Sequence, residues 1–232
     1  MKRYTPAVLA MLFATLAAMP AHAGLRVPQI GFDPSELSTQ FALQGESIDL
    51  LNQQQDGLVW GSTVSTNSTM TIQFELTGPL HQNTMGIAIL DATGKVVVGH
   101  APVFPAGAAA GTFAVASFRP GNQLVVNLFD VNATILTRTT FSNVNRNLFA
   151  YYLENGPVRY YSHEGFNADG NVHALAYAGT GENKGCWWMA WEDGAFTDYA
   201  DAQFDDALLF LESLNPTPVN HASWGKVKSL FR

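Results

Sequence analysis

Thr69-Met70-Thr71-Ile72-Gln73-Phe74-Glu75-Leu76 decides the fold class of this chain. Met70, Ile72, Phe74 and Leu76 fall on one side of an extended segment, and Thr69, Thr71, Gln73 and Glu75 on the other. That two-residue period marks a strand with one face in a core. Working outward, Met85 to Leu90, the turn Asp91-Ala92-Thr93-Gly94, and Lys95 to Gly99 predict a hairpin. Pro102, Pro105 and the small residues Ala106 to Gly111 predict a loop. Further strands are expected at Thr112 to Phe118, Gln123 to Phe129, Ala133 to Phe141, Leu148 to Leu153, Val158 to Ser162, Val172 to Tyr177, Gly185 to Trp191 and Ala207 to Leu214. Turn signals separate them at Pro120-Gly121, Asn155-Gly156-Pro157, Asp169-Gly170 and Gly179 to Gly181.

Many short strands and no sustained helical period predict an all-β chain. The expected form is an antiparallel β-sandwich or jelly-roll-like single domain, with an acidic loop before the last strand. One segment reads two ways. Phe204, Ala207, Leu208 and Leu211 also fit a short helix within Tyr199 to Leu214, but the strand ended by Asn215-Pro216 is favoured. In Gly185 to Trp191, Cys186, Trp188 and Ala190 share one face and Trp187, Met189 and Trp191 the other, so this strand should be covered on both sides. Cys186 is the only cysteine, which rules out an intramolecular disulfide and reads as a buried thiol.

The chain of 232 residues is 47% hydrophobic and 13% charged, enough for one ordinary core and unlike a disordered composition. Lys2 and Arg3, the apolar run Ala7 to Met19 and Ala21-His22-Ala23 have the form of a signal peptide over residues 1–23. A secreted protein, periplasmic or extracellular, is the expectation. Formal net charge is −7, and −9 once Lys2 and Arg3 are removed, which argues against nucleic acid as partner and for a cation. No later segment approaches ~18 uninterrupted apolar residues, so no integral membrane segment is expected after cleavage. The remaining divisions are an N-terminal leader with one or two strands over 24–65, the sandwich over 66–216, and a short basic amphipathic tail over 217–232. In that tail Trp224, Val227, Leu230 and Phe231 share a helical face, with Lys226, Lys228 and Arg232 mostly away from it.

Chemistry concentrates in Trp191 to Asp206. Six of the nineteen acidic residues, Glu192, Asp193, Asp198, Asp201, Asp205 and Asp206, lie there without a Lys or Arg between them. Such crowding requires water, hydrogen bonds or a cation to compensate the charge.

Residues 66 to about 219 resemble the secreted bacterial domains grouped as domain-of-unknown-function family 4114, especially those in proteins with exosortase-type sorting tails. The likeness rests on Gln82 to Ile87, Phe166 to Leu175, Trp191-Glu192-Asp193, and Asp201-Ala202-Gln203-Phe204-Asp205-Asp206. In that family a "WED" or "FED" step is followed, after a Gly- and Asp-rich loop, by a D-x-D-aromatic-N-D step. Here Gln203 and Asp205 depart from the pattern, Gly194 to Ala200 replaces the Gly-rich loop, and no Pro-Glu-Pro step or apolar anchor follows Pro218.

The resemblance implies a β-sandwich that binds calcium. Calcium accepts six to eight oxygens at loose geometry, and the acidic stretch holds no Cys or His for zinc or copper. Asp193, Asp201 and Asp206 are the expected principal ligands, with Glu192, Asp198 and Asp205 as additional groups; a solvated acidic loop is the alternative. Asn167 to Asn171 looks like the start of an EF-hand loop, but its twelfth position is Ala178 rather than Glu, so a tight turn is the better reading. Asp169 there could add a ligand, and His173 is expected to orient a carboxylate rather than bind metal.

No G-x-S-x-G, H-E-x-x-H or phosphate-binding glycine loop is present, and nothing shows Glu192 and Asp206 flanking a sugar-sized cleft, so no enzyme is expected. Two functions remain: a calcium-rigidified structural, adhesion or matrix protein of the bacterial exterior, or a calcium-dependent lectin-like module using Tyr160, Tyr161, Trp187 or Tyr199. The partners expected are calcium and a cell-surface glycan or matrix protein.

Overall fold

Residues 32–61, 70–76, 80, 82–194 and 202–217 are described by the structure, a computed structural model. The leader 1–23 and residues 218–232 of the tail lie outside them. The period-two segments become strands: β3 is Met70–Leu76, β6 Phe113–Arg119, β7 Gln123–Phe129, β8 Ile135–Phe141, β9 Phe149–Asn155 and β10 Val158–Tyr161. Further on, β11 is Ala174–Ala178, β12 Trp187–Trp191 and β13 Ala207–Glu212. The segment with a competing helical period is therefore strand over β13.

The 24–65 region contributes more than a leader. It supplies helix α1, Ser35–Leu43, and strands β1, Gln54–Gln55, and β2, Val59–Gly61, which join the two sheets. The helix escapes the sequence pattern because only Leu37 and Phe41, one turn apart, are buried. Its cap is also unconventional. Pro34 stands at the N-terminus without a side-chain cap, and Asp33 accepts from the Ser35 N–H at 3.0 Å instead.

The remaining strands are β4, Asn83–Leu90, β5, Val97–Phe104, and β14, Asn215–Thr217. Two expectations are corrected at β5. The strand runs through Pro102, where a loop was expected, because β5 is a sheet edge and an edge position need not donate to a neighbour. The preceding turn is longer than the expected four residues, since the Asp91 carboxylate gathers the N–H groups of Lys95 and Val96.

Among the described residues every strand pairing is antiparallel. One sheet has eight strands in the order β1-β11-β12-β13-β3-β6-β7-β8. The other has six, ordered β14-β2-β9-β4-β5 with β10 also on β9. Their facing sides share one core. Met189, Trp191, Leu209 and Leu124 come from the larger sheet, and Ile87, Val103, Phe149 and Trp60 from the smaller. Among the described residues the architecture is an all-β antiparallel sandwich with one short α-helix.

Strand β12 is covered on both faces, as its sequence requires. Met189 and Trp191 point into the inter-sheet core, while Trp188 and Ala190 lie beneath α1 with Leu37, Phe41 and Tyr177. Phe41 packs edge-on against Tyr177 and Trp188 at 5.4 and 5.6 Å between centroids. Burying Leu37 and Phe41 contributes about 1.5–3 kcal/mol each, which fixes the helix although its isolated propensity is low. Cys186, at the start of this strand, is half-buried rather than buried, and burial together with Glu212 and Glu46 raises its thiol pKa.

Candidate functional site

The site forms where β12 ends and β13 begins. Antiparallel pairing sets Trp191 opposite Ala207, so the residue after one and the residue before the other meet at the same rim. Asp206 donates its backbone N–H to the Trp191 carbonyl at 3.2 Å, and its carboxylate accepts the Asp193 N–H at 2.7 Å. Glu192, Asp193 and Asp206 each offer a carboxylate oxygen within 4.8 Å of the others. Among the described residues this is the one such acidic group.

Glu192 is buried and turned back into the loop. It accepts from Gly194 N at 3.2 Å, Gln203 N at 3.2 Å and Phe204 N at 3.3 Å. Those backbone groups are aimed at it by an unusual conformation: Phe204, fully buried, has a φ of 56°, the left-handed region that costs a bulky side chain of order 1–3 kcal/mol. Its ring packs edge-on to Phe32 at 5.7 Å, and the backbone of Phe32 bridges Ala202.

Three donors do not settle the charge. Burial first, then the adjacent Asp206 carboxylate, push Glu192 up to about 8, so near neutral pH the pair retains a proton. Asp206 is raised too, by burial and by the neighbouring charges of Asp193 and Asp205.

The opposite sheet closes the rim. Asn83, the first residue of β4 and only 3% exposed, donates from Nδ2 to Asp193 Oδ2 at 2.6 Å. The Asn83 Oδ1 atom, on the same amide, is buried with no hydrogen-bond partner among the described residues. Asn155 at the end of β9 reaches the Asp193 carbonyl at 3.5 Å. Asp193 is therefore held by Asn83 and Asn155 of the smaller sheet and by Asp206, next to β13 of the larger one.

His173 backs the cluster without joining it. Its Nδ1 lies 3.0 Å from the Glu192 carbonyl and its Nε2 2.9 Å from Asp169 Oδ2, in a wholly buried position. Tyr160 stacks on the ring at 3.8 Å. Asp169 is tied to His173 and to the Asn171 N–H, which together outweigh burial and lower its pKa.

Of the six expected ligands, Glu192, Asp193 and Asp206 are brought together. Asp205 lies beside them, half-buried, and contributes its charge. Asp198 and Asp201 lie outside the described residues. Asn83, Asn155 and Phe204 were not foreseen as site residues. The aromatics expected as a sugar platform are otherwise engaged: Tyr160 is buried on His173, Trp187 packs edge-on to Trp60, and Tyr161 bonds His100 Nε2 at 3.0 Å. Tyr199 lies outside the described residues.

No protein-family model matches this chain, and no curated protein matches it.

Proposed function

We propose that this is a secreted calcium-binding β-sandwich protein with a structural or adhesive role at the bacterial exterior, and that the ion ties its two sheets together at one rim. The observation that carries the reading is Asn83 Oδ1. A buried amide oxygen without a partner costs of order 1–3 kcal/mol, and it sits on the same amide that bonds Asp193. A cation would use that oxygen and offset the repulsion among Glu192, Asp193 and Asp206.

The donor chemistry fits calcium. All four groups are oxygen ligands, and carboxylate oxygens up to 4.8 Å apart span what one ion accommodates at about 2.3–2.6 Å per bond. His173, whose Nδ1 lies against the Glu192 carbonyl, has both ring nitrogens engaged elsewhere. Asp198 and Asp201 belong to the connection between Gly194 and Ala202 and are offered as further ligands. The resemblance to family 4114 leads to the same reading.

The test is the thermal midpoint of residues 24–232 in chelator and across calcium and magnesium titrations. Calcium at a hundredfold excess over Kd should stabilise by about 2.7 kcal/mol, a shift of roughly 5–10 °C. Magnesium should do much less, and Asp206→Asn should blunt the response. No shift at millimolar calcium would sink the reading.

A further inference from the structure

The peptide group between Glu192 and Asp193 is gripped at both ends. Its carbonyl lies 3.0 Å from His173 Nδ1, and its N–H donates to Asp206 Oδ2 at 2.7 Å. A peptide unit is planar, so holding the two ends fixes the orientation of the whole group. Residue 173 holds Glu192 a second time, because the His173 carbonyl accepts the Glu192 N–H at 3.0 Å. These contacts carry the pairing of β11 with β12 one step past Ala174 and Trp191, up to the acidic rim.

His173 is itself wedged. Its ring is wholly buried, stacks on Tyr160 of β10 at 3.8 Å between centroids, and sets Nε2 2.9 Å from Asp169 Oδ2. Asp169 in turn accepts the Asn171 N–H at 3.0 Å and the Asn171 side-chain amide at 3.2 Å. Asn167, also buried, ties this turn to β10. It accepts the Tyr161 N–H at 2.6 Å and donates to the Tyr161 and Asn171 carbonyls at 3.2 and 2.7 Å. An unbroken set of contacts therefore runs from β10 of the smaller sheet, through the turn Asn167 to Asn171 and His173, to the Glu192 peptide at the end of β12.

We infer that His173 is a positioning residue of the acidic rim: it sets the Glu192–Asp193 peptide so that the carboxylates of Asp193 and Asp206 converge on one ion. The inference rests on the calcium reading of that rim. The turn that looks like the start of an EF-hand loop is then a brace, and Asp169 serves the rim through His173 rather than as a ligand. Phenylalanine would fill the same space against Tyr160, but it could not hold the Glu192 carbonyl. Once that peptide rotates, the Asp193 N–H leaves Asp206 Oδ2 and the carboxylate it orients is released. Groups that orient metal ligands without touching the metal typically change affinity by about 10- to 100-fold.

The experiment follows calcium by isothermal titration and terbium by luminescence on residues 24–232, with the fold of each variant checked by near-ultraviolet circular dichroism. Terbium takes oxygen ligands as calcium does, can be excited through Trp191 beside the rim, and reports its bound waters by its decay in H2O against D2O. His173→Phe keeps the ring against Tyr160 and removes both polar contacts. It should weaken calcium about tenfold and leave terbium with additional bound water. Asp169→Asn loosens only the brace and should shift both readouts in the same direction by less, which keeps the test decisive if His173→Phe does not fold. Folded variants that lose thermal stability in chelator, yet bind calcium and hydrate terbium as wild type does, would overturn the inference and leave His173 as packing alone. A wild type that takes up neither ion overturns the calcium reading itself, and this inference with it.

Discussion

Glu46 and Glu192 are buried to nearly the same depth, 7% and 6% exposed, yet their surroundings treat a negative charge in opposite ways. Burial raises the pKa of both, and hydrogen bonds decide the sign. Around Glu46, Thr180 donates its N–H and hydroxyl, Asn183 its amide and Trp188 its indole N–H, the last at 2.7 Å. These outweigh burial and lower its pKa. Glu192 has three backbone donors at the long end of the range, and a second carboxylate beside it, so its pKa rises to about 8. The first charge is fully served by neutral dipoles; the second is left short of positive charge. Neither burial nor a carboxylate alone marks a cation site, but burial among other carboxylates, beside an unused amide oxygen, does support one.

The largest effect should come from the satisfied charge. Glu46→Gln sets an amide NH2 against donors that need an acceptor, and should cost about 3 kcal/mol, lowering the thermal midpoint by roughly 6–12 °C with or without calcium. A loss under about 1 kcal/mol would mean that the four donors find water instead, and the contrast would fail. The reverse is expected at Glu192. In chelator Glu192→Gln should be neutral or stabilising, because the amide ends the shared-proton conflict with Asp206, while the calcium-induced gain of about 2.7 kcal/mol should largely vanish. Calorimetry with and without calcium separates the two halves of that expectation.

Asn83→Ala should act more mildly, weakening calcium about tenfold, or about 1.4 kcal/mol, by isothermal titration. Asn83→Asp should bind calcium more tightly than Ala at that position yet be less stable in chelator, since a fourth carboxylate joins the cluster. If Asn83→Ala binds as wild type does, the unused oxygen is not a ligand.

The smallest effects are in pH. Glu46 has a folded value below its unfolded one, so its contribution is present above about 4.5 and lost as pH falls through the lowered value. Glu192 has a folded value above its unfolded one. In chelator its contribution is present below about 4.5 and lost as pH rises through about 8. Thermal midpoints in chelator from about pH 3 to about pH 9 should show both limbs, with Glu46→Gln flattening the acid one and Glu192→Gln the alkaline one.

The sandwich was legible where apolar and polar residues alternate along the sequence, because alternation is local: β3 and β6 fall within one residue of their expected bounds. Helix α1 was not, since two buried side chains do not make a period. At the rim, Glu192, Asp193 and Asp206 were legible because like charges crowd visibly along the chain. Asn83 was not, because its role depends on β4 from the other sheet ending beside Asp193. Glu46 was hidden for the same reason: its donors lie more than 130 residues away in the sequence. Tyr160 was expected as an exposed platform, but its stacking partner His173 comes from a neighbouring strand connection that no local pattern specifies.

The pairing of β2 with β14 brings Trp60 beside Pro216, and β1 and β3 likewise wait for β11 and β13. Each sheet thus joins an early strand to a late one. Loop closure over such separations is slow, so this chain should fold late and on the slower side of the range for its size. The pairings of β1, β2 and β3 with β11, β14 and β13 are complete only once the last strands have been synthesised. The β6-β7-β8 meander and the β4-β5, β9-β10 and β11-β12 pairs are local in sequence and able to form first.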